Sequence, residues 1–504
     1  LVPLDRERGD TWPEDPMRIR PTPSDSTRYL GDQSGPPTYL NVGSHWWDAS
    51  QIYGNSDAQT LNLRCSDDDG RGKLKLFKRK LTDEEGAARA ARKARGAALF
   101  RSAEEQEQEE SDEEGLPPSE VRGVVEQAGV TNNWWIGLSL LHTLFAREHN
   151  AIVDRLQLAY PDWSGDQLFH TARLINTALM AKIHTVEWTT AILGHPALQI
   201  SMNANWWGLV TERITKAFGR LSDNEAIGGI PGSPTEHHSA PYALTEEFVA
   251  VYRLHPLMPD GIQFYRVKDG SPAHYASLPD VAGENSLTPY RRQLTRADVA
   301  YSFGVTHPGA LVLHNYPDFL RNLERVDRDD GGNEIGRDRI DLAAIDIMRD
   351  RERGVPRYNR FRRLLGLRPA ASFSDITSNK KWARELKEIY KDVERVDLMV
   401  GMFAEDFPKG FGFSDTAFRV FILMASRRLK SDRFFTTDFN ENVYSGVGLN
   451  WINDNNMRSV LLRHYPLLGP VLRQVNNAFA PWKPIGNDVS PAARTLRGGS
   501  RDGN

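Results

Sequence analysis

From residue 132 onward the apolar residues recur at helical spacing, and strand-like alternation is scarce. In "IGLSLLHTLFAREHNAIVDRLQ" (136–157), Leu138, Leu141, Phe145, Ile152 and Leu156 follow one helical stripe. Such a pattern commits the chain to helices packed on helices. Further helices are expected at 166–193, 245–255, 339–352, 380–403 and 415–430. The most apolar stretch, "FRVFILMAS" (418–426), reads as a buried helix, because no run reaches the ~18 residues that a membrane span needs. The expected class is mostly α, a multi-helix fold with long irregular loops. One of these, "GIPGSPTEHHSAP" (229–241), is suited to line a site.

Aromatic content bears on what such a bundle can enclose. The 12 Trp, 21 Phe and 15 Tyr suffice to wall a flat cofactor or an acyl chain. A net charge of −4 supplies no basic field for nucleic acid, and a single cysteine, Cys65, excludes an internal disulfide framework. Residues 1–43 are rich in Pro and Gly and read as an extended arm. Within 82–118, the basic "AARAARKARGAA" and the acidic "EEQEQEESDEEG" have little to bury, so a solvated, disordered insertion is expected there. The remainder, 44–480, reads as one catalytic domain, with 481–504 as a tail.

The stretch "TEEFVAVYRLHPLMPD" (245–260) carries the sharpest local pattern. Thr245 is a helix cap, and Glu246 and Glu247 suit the positive first turn. Phe248, Val251, Tyr252 and His255 share one stripe, and Pro256 is expected to end the helix at His255. Tyr252 and His255, three apart, face the same way. Spacing alone leaves two readings open: two amphipathic residues at the rim of a core helix, or a phenol and an imidazole set for joint chemistry.

Four stretches belong together: "SHWWDASQIYG" (44–54), "LSLLHTLFAREHN" (138–150), "VYRLHPLMPD" (251–260) and "RDRERGVPRYNRFRRLLGL" (349–367). In this order they resemble the peroxidase–cyclooxygenase superfamily of haem proteins. "AKIHTVEWTTAIL" (181–193), "NANWWGLV" (203–210), "YALTEEFVAVYRLHP" (242–256) and "ASRRLKSDRFFTTDFNE" (425–441) are similar to the fatty-acid alpha-dioxygenases within it. The resemblance runs from about residue 44 to about residue 470, interrupted by the charged insertion. It implies haem b, with His255 as the proximal ligand and Asn359 of "RYNRF" accepting a bond from its other nitrogen. Tyr252 is then the radical residue that takes hydrogen from a long-chain fatty acid before O2 adds. His184, Thr189 and Arg428 are implied as the groups that hold the substrate carboxylate. On an ideal α-helix His184 and Thr189 lie about 140° apart, so both reach one ligand only at the helix edge or if the helix is distorted. Arg427 and Arg433 are close rivals of Arg428. "SHWWDAS" resembles the calcium loop of the superfamily, with Ser44, the Trp46 carbonyl, Asp48 and Ser50 as ligands; a capped turn is the plain alternative.

Two departures qualify the resemblance. The distal histidine of the superfamily is followed by aspartate, and no His-Asp pair occurs in the 504 residues. The chain, which opens "LVPLDRERGD", is therefore expected to lack an N-terminal segment. In "GVTNNWWIG" (129–137), Asn132 and Trp135 stand where covalently linked peroxidases carry arginine and glutamate, so the haem is expected to be non-covalent. Glu148 and Arg147 are not those residues.

The expected activity is alpha-oxygenation of a fatty acid to a 2-hydroperoxy acid. Its rivals are a linoleate-type mid-chain dioxygenase, a general haem peroxidase, and a non-catalytic haem- or lipid-binding relative. A cytoplasmic or peripheral-membrane location is the corresponding expectation.

Overall fold

The computed structural model describes residues 12, 19, 21–28, 37–41, 43–76, 128–130, 133–235, 244–328 and 334–486. Most of the expected arm, the insertion at 82–118 and the end of the tail lie outside them. Helices dominate. Ile136–Ala159 packs against Gly165–Ile183, and both pack on Glu441–Asp454. A capping box starts the second of these: Ser164 Oγ accepts from Gln167 N at 3.2 Å, and Gln167 Oε1 accepts from Ser164 N at 2.9 Å. Along Ile136–Ala159 the stripe buries Phe145, Ile152 and Leu156, whereas Leu141 is exposed. Strands among the described residues form two antiparallel hairpins, Gly261–Tyr265 with Pro272–Ser277 and Leu323–Arg328 with Glu334–Ile340.

Three expected helices have other bounds. The 339–352 segment begins as strand, and its helix is Leu342–Glu352, capped where Asp341 Oδ1 accepts from Ala344 N. The 380–403 segment is broken into Lys380–Tyr390, a 3₁₀ turn at Val393–Arg395, and Leu398–Ala404. Lys391 takes φ 62° at the break. The buried carboxylate of Asp397 anchors the restart, held by Arg351 at 2.7 Å, by Arg357, and by the Tyr390 hydroxyl at 2.8 Å. The 245–255 helix is shorter than expected and ends at Val251.

Charged residues also lock the bundle from inside. Glu148, fully buried, accepts from Trp451 Nε1 at 2.9 Å, from Arg463 Nη1 at 2.7 Å through both oxygens, and from His464 Nε2 at 2.8 Å. Burial alone would raise its pKa, but the His464 and Arg463 contacts hold the carboxyl below its ordinary value. Its neighbour His149 is neutral: burial pushes its pKa down to about 3, between the Tyr53 hydroxyl at 3.0 Å and the Gly72 carbonyl at 3.1 Å. Glu148 is thus structural, as the sequence comparison required. Glu148→Ala removes a fully buried carboxylate that joins Trp451, Arg463 and His464 and is expected to cost about 3–5 kcal/mol, read from chemical denaturation. Because the folded-state pKa is depressed, the contribution is present above the ordinary carboxylate range and fades as pH falls through the folded value. A loss under about 1 kcal/mol with the same acid profile would contradict this role.

Candidate active site

Pro256 shapes the first part of the site. Thr245 Oγ1 accepts from Phe248 N at 3.3 Å and starts a helix, Glu246–Val251, that stops at Tyr252. Pro256 has no N–H to give the Tyr252 carbonyl four residues back, and its ring crowds that oxygen. Leu254 N takes the carbonyl instead, at 2.8 Å. His255 then opens a separate 3₁₀ turn, His255–Leu257. The pair therefore straddles a break, not a continuous helical face.

His255 is held from one side. Its Nδ1 lies 2.9 Å from Asp346 Oδ2 and 2.7 Å from the Tyr316 hydroxyl, and Tyr316 also hydrogen-bonds Asp346. Asp346 is fully buried on Leu342–Glu352, with Arg253 Nε at 3.3 Å. Burial and the Asp346 charge push the Tyr316 pKa far up, so the phenol keeps its proton. With Nδ1 fixed by a carboxylate, Nε2 is the nitrogen left to face a metal. Among the described residues no three His, Cys, Asp or Glu side chains converge as a metal site. One oriented imidazole fits iron that a porphyrin already holds through its own four nitrogens.

Asn359 is not the partner of this histidine. Its side chain is buried on Tyr358–Leu364, where Nδ2 donates to the Ala370 carbonyl at 2.9 Å and to Glu394 Oε1 at 3.0 Å. Its Oδ1 accepts from Ala370 N at 2.8 Å. The amide fastens a loop, and the acceptor expected from the "RYNRF" stretch is Asp346, one helix earlier.

The second part of the site is built on a distorted helix. His184–Trp188 is a π-turn between Gly165–Ile183 and Thr189–Ile192. Thr185 Oγ1 donates to the Ala181 carbonyl and Thr190 Oγ1 to that of Val186, each at 2.8 Å. Such threonine back-bonding loosens an α-ladder. The Thr189 N–H reaches the His184 carbonyl, and Thr189 Oγ1 donates to it at 2.8 Å. Bonding from i to i+5 stacks Thr189 one turn above His184, which removes the 140° conflict. The Thr189 hydroxyl is thus bonded to that backbone carbonyl, on the same turn as His184.

Aromatic rings join these groups to Tyr252. His184 stacks on Trp188 with centroids 4.7 Å apart and meets the edge of Trp47 at 4.9 Å. The Arg428 guanidinium lies over Trp47, 4.7 Å from its centroid. Phe421 is 6.3 Å from His184, 6.2 Å from Trp188 and 6.0 Å from Tyr252. Phe421 and Arg428 lie seven apart on Asp415–Ser431 and so share a face. Burial pushes the His184 pKa down to about 3, with the Arg428 charge adding to it. Arg428 Nε is buried and has no hydrogen-bond partner among the described residues. A cation set among aromatic rings with a spare donor can take an anion. Of the rival arginines, Arg427 is exposed and Arg433 is paired with Asp438.

The 44–50 loop does not gather a calcium site. Asp48 Oδ1 accepts from Ser50 N at 3.0 Å, Ser44 Oγ accepts from Trp46 N at 3.2 Å, and Arg173 lies 4.0 Å from Asp48 Oδ2. A single carboxylate beside a guanidinium does not fit a divalent cation; the loop is a capped turn that presents Trp47. Asn132 lies outside the described residues. Trp135 bridges Ala282 and packs on Phe303. Asp346, Tyr316, Trp47 and Phe421 are the site residues that sequence reasoning missed, and only Phe421 had a signal, its spacing from Arg428.

Known proteins resemble this chain in sequence and fold. Residues 3–476 fit the family described as animal haem peroxidase. Alpha-dioxygenase PIOX of Oryza sativa subsp. japonica is 36% identical over 487 residues, covering 95% of this chain and 71% of its own length. Alpha-dioxygenase 1 of Capsicum annuum is 38% identical over 459 residues, covering 88% of this chain and 64% of its own. Among solved structures, a tyrosine-to-phenylalanine variant of the Oryza sativa fatty acid alpha-dioxygenase, with palmitic acid, superposes at TM-score 0.72 with 35% identity, over 88% of this chain and 67% of that one. The chain thus spans about two thirds of the length of these relatives.

Asp346→Ala is expected to weaken haem retention about 10- to 100-fold, measured by haem titration of the Soret band. Asn359→Ala should leave that affinity unchanged. The opposite ranking would restore Asn359 as the partner of His255.

Proposed function

Because this chain belongs to the animal haem peroxidase family and has alpha-dioxygenases as its relatives, we propose that it oxygenates long-chain fatty acids at C2. One observation carries this reading: a single aromatic ring, Phe421, separates Tyr252 from the His184 and Arg428 cluster. A carboxylate bound to Arg428, with a hydrogen bond from neutral His184, puts the adjacent carbon nearest the phenol. Apolar walls from Trp47, Trp188 and Phe421 exclude water and strengthen that ion contact.

His255 Nε2 would hold a haem that is not covalently linked, which when bound would supply the one-electron oxidant that the Tyr252 phenol needs. Tyr252 gives up its hydroxyl hydrogen as a proton and an electron. The phenoxyl radical then takes one hydrogen atom from C2, which restores its O–H bond. O2 adds to the carbon radical, and the resulting peroxyl takes a hydrogen atom from Tyr252 to give the 2-hydroperoxy acid. Loss of CO2 and water from that product leaves an aldehyde one carbon shorter. Mid-chain oxygenation and small-phenol peroxidation give no role to Arg428, and a purely binding relative gives none to Tyr252.

A fatty-acid substrate makes peripheral contact with lipid part of the proposal. The Thr211–Phe218 helix supports it, because none of its residues is buried and Ile214 and Phe218 are exposed. Among the described residues no helix is long and apolar enough to cross a membrane.

Tyr252→Phe is expected to lower palmitate-dependent O2 uptake at least about 100-fold with an unchanged Soret band. Arg428→Gln removes a charge-assisted bond of about 1.5–3 kcal/mol and should raise KM for palmitate about 10- to 100-fold. Retention of most activity in Tyr252→Phe would contradict the radical role.

A further inference from the structure

The π-turn leaves three polar groups that the proposed chemistry does not use. Residues two apart lie on opposite sides of a helix, so Lys182 backs His184 and Glu187 backs Thr189. Lys182 is buried, and its ammonium donates to the carbonyls of Ile452 at 2.6 Å, Asn453 at 2.9 Å and Asn455 at 2.8 Å, around the C-terminus of Glu441–Asp454. That end of a helix is negative and suits a cation. Glu187, also buried, accepts from Met457 N at 2.9 Å with Oε2, at the start of Met457–His464. The Glu187 carbonyl accepts from Asn477 Nδ2 at 2.8 Å and from Thr190 Oγ1 at 3.1 Å. Asn477 thus supplies, from the far end of the chain, a bond to a carbonyl inside the distorted turn.

Two helix ends and one distant amide therefore grip the turn from behind. A π-turn is otherwise rare, since it gives up regular α-helical bonding. The depth at which His184 stands depends on that grip. We infer that Lys182, Glu187 and Asn477 are positioning residues, which hold the π-turn so that His184 meets a substrate carboxylate at the same level as Arg428. The inference rests on the fatty-acid reading of the site. It adds that selectivity for an acid head group is set by contacts on the far side of the helix from the ligand. No member of the clamp touches substrate.

The test compares palmitate with 1-hexadecanol, which has the same chain length and no carboxylate, by calorimetric titration of the haem-loaded full chain. In Lys182→Met and Asn477→Ala, the Kd for palmitate is expected to rise about 10- to 100-fold, the loss typical of remote misplacement. The Kd for hexadecanol and the Soret band should stay constant. Glu187→Gln keeps an acceptor for Met457 N and should bind palmitate like the wild type, whereas Glu187→Ala should not. Equal weakening of both ligands, or of neither, overturns the inference. A wild-type protein that does not prefer palmitate over hexadecanol overturns instead the reading of Arg428 and His184 on which it rests.

Discussion

Pro256 has no N–H for the Tyr252 carbonyl, and the geometry of the centre follows from that missing bond. A continuous helix would carry Tyr252 and His255 on one face, locked to each other. The break frees the imidazole to turn toward Leu342–Glu352, where Asp346 and Tyr316 fix Nδ1. Tyr252, left at the helix end, packs between Phe248 and Phe421. One proline thus separates two side chains that three residues of sequence had joined: an imidazole fixed on Asp346 and a phenol packed against Phe421.

The opposite wall obeys a different constraint. An anion in an aromatic cleft needs a cation that is itself held without a competing carboxylate. Trp47 supplies that support to Arg428 through its ring face. His184 stays neutral beside the guanidinium, so it offers an N–H without adding a second charge to desolvate. The π-turn sets its height, and the cost of the irregular backbone is offset by threonine hydroxyls in front and by Lys182, Glu187 and Asn477 behind. The two sides meet at Phe421, which lies on the same helix face as Arg428 and packs against both His184 and Tyr252.

Much of this was legible in the sequence because it rests on local chemistry. Helical periodicity located the bundle, and Thr245 and Pro256 marked the ends of the critical segment to within one turn. The angle of about 140° between His184 and Thr189 on an ideal helix left either a ligand at the helix edge or a distorted helix, and the structure has the distortion. Asp346 was illegible: it lies 91 residues from His255 in a helix with several acids, and only the fold shows which acid meets the imidazole. Asn359 misled because a conspicuous polar residue in a familiar motif can simply fasten a loop. The 44–50 loop misled in a related way, since its side-chain oxygens accept from the loop's own N–H groups, Arg173 lies beside Asp48, and the Trp47 ring is what the loop presents to His184 and Arg428. The break at Lys391 escaped notice because apolar spacing continues across it.

Palmitate deuterated at C2 tests the central claim most directly. If Arg428 and His184 anchor the carboxylate one aromatic ring away, C2 lies against Tyr252. The full chain, loaded with haem and given O2, should then lose one deuterium from C2, with slowed O2 uptake and release of a C15 aldehyde. Uptake that keeps both deuterium atoms and places oxygen along the chain would show that the carboxylate is not anchored at this cluster.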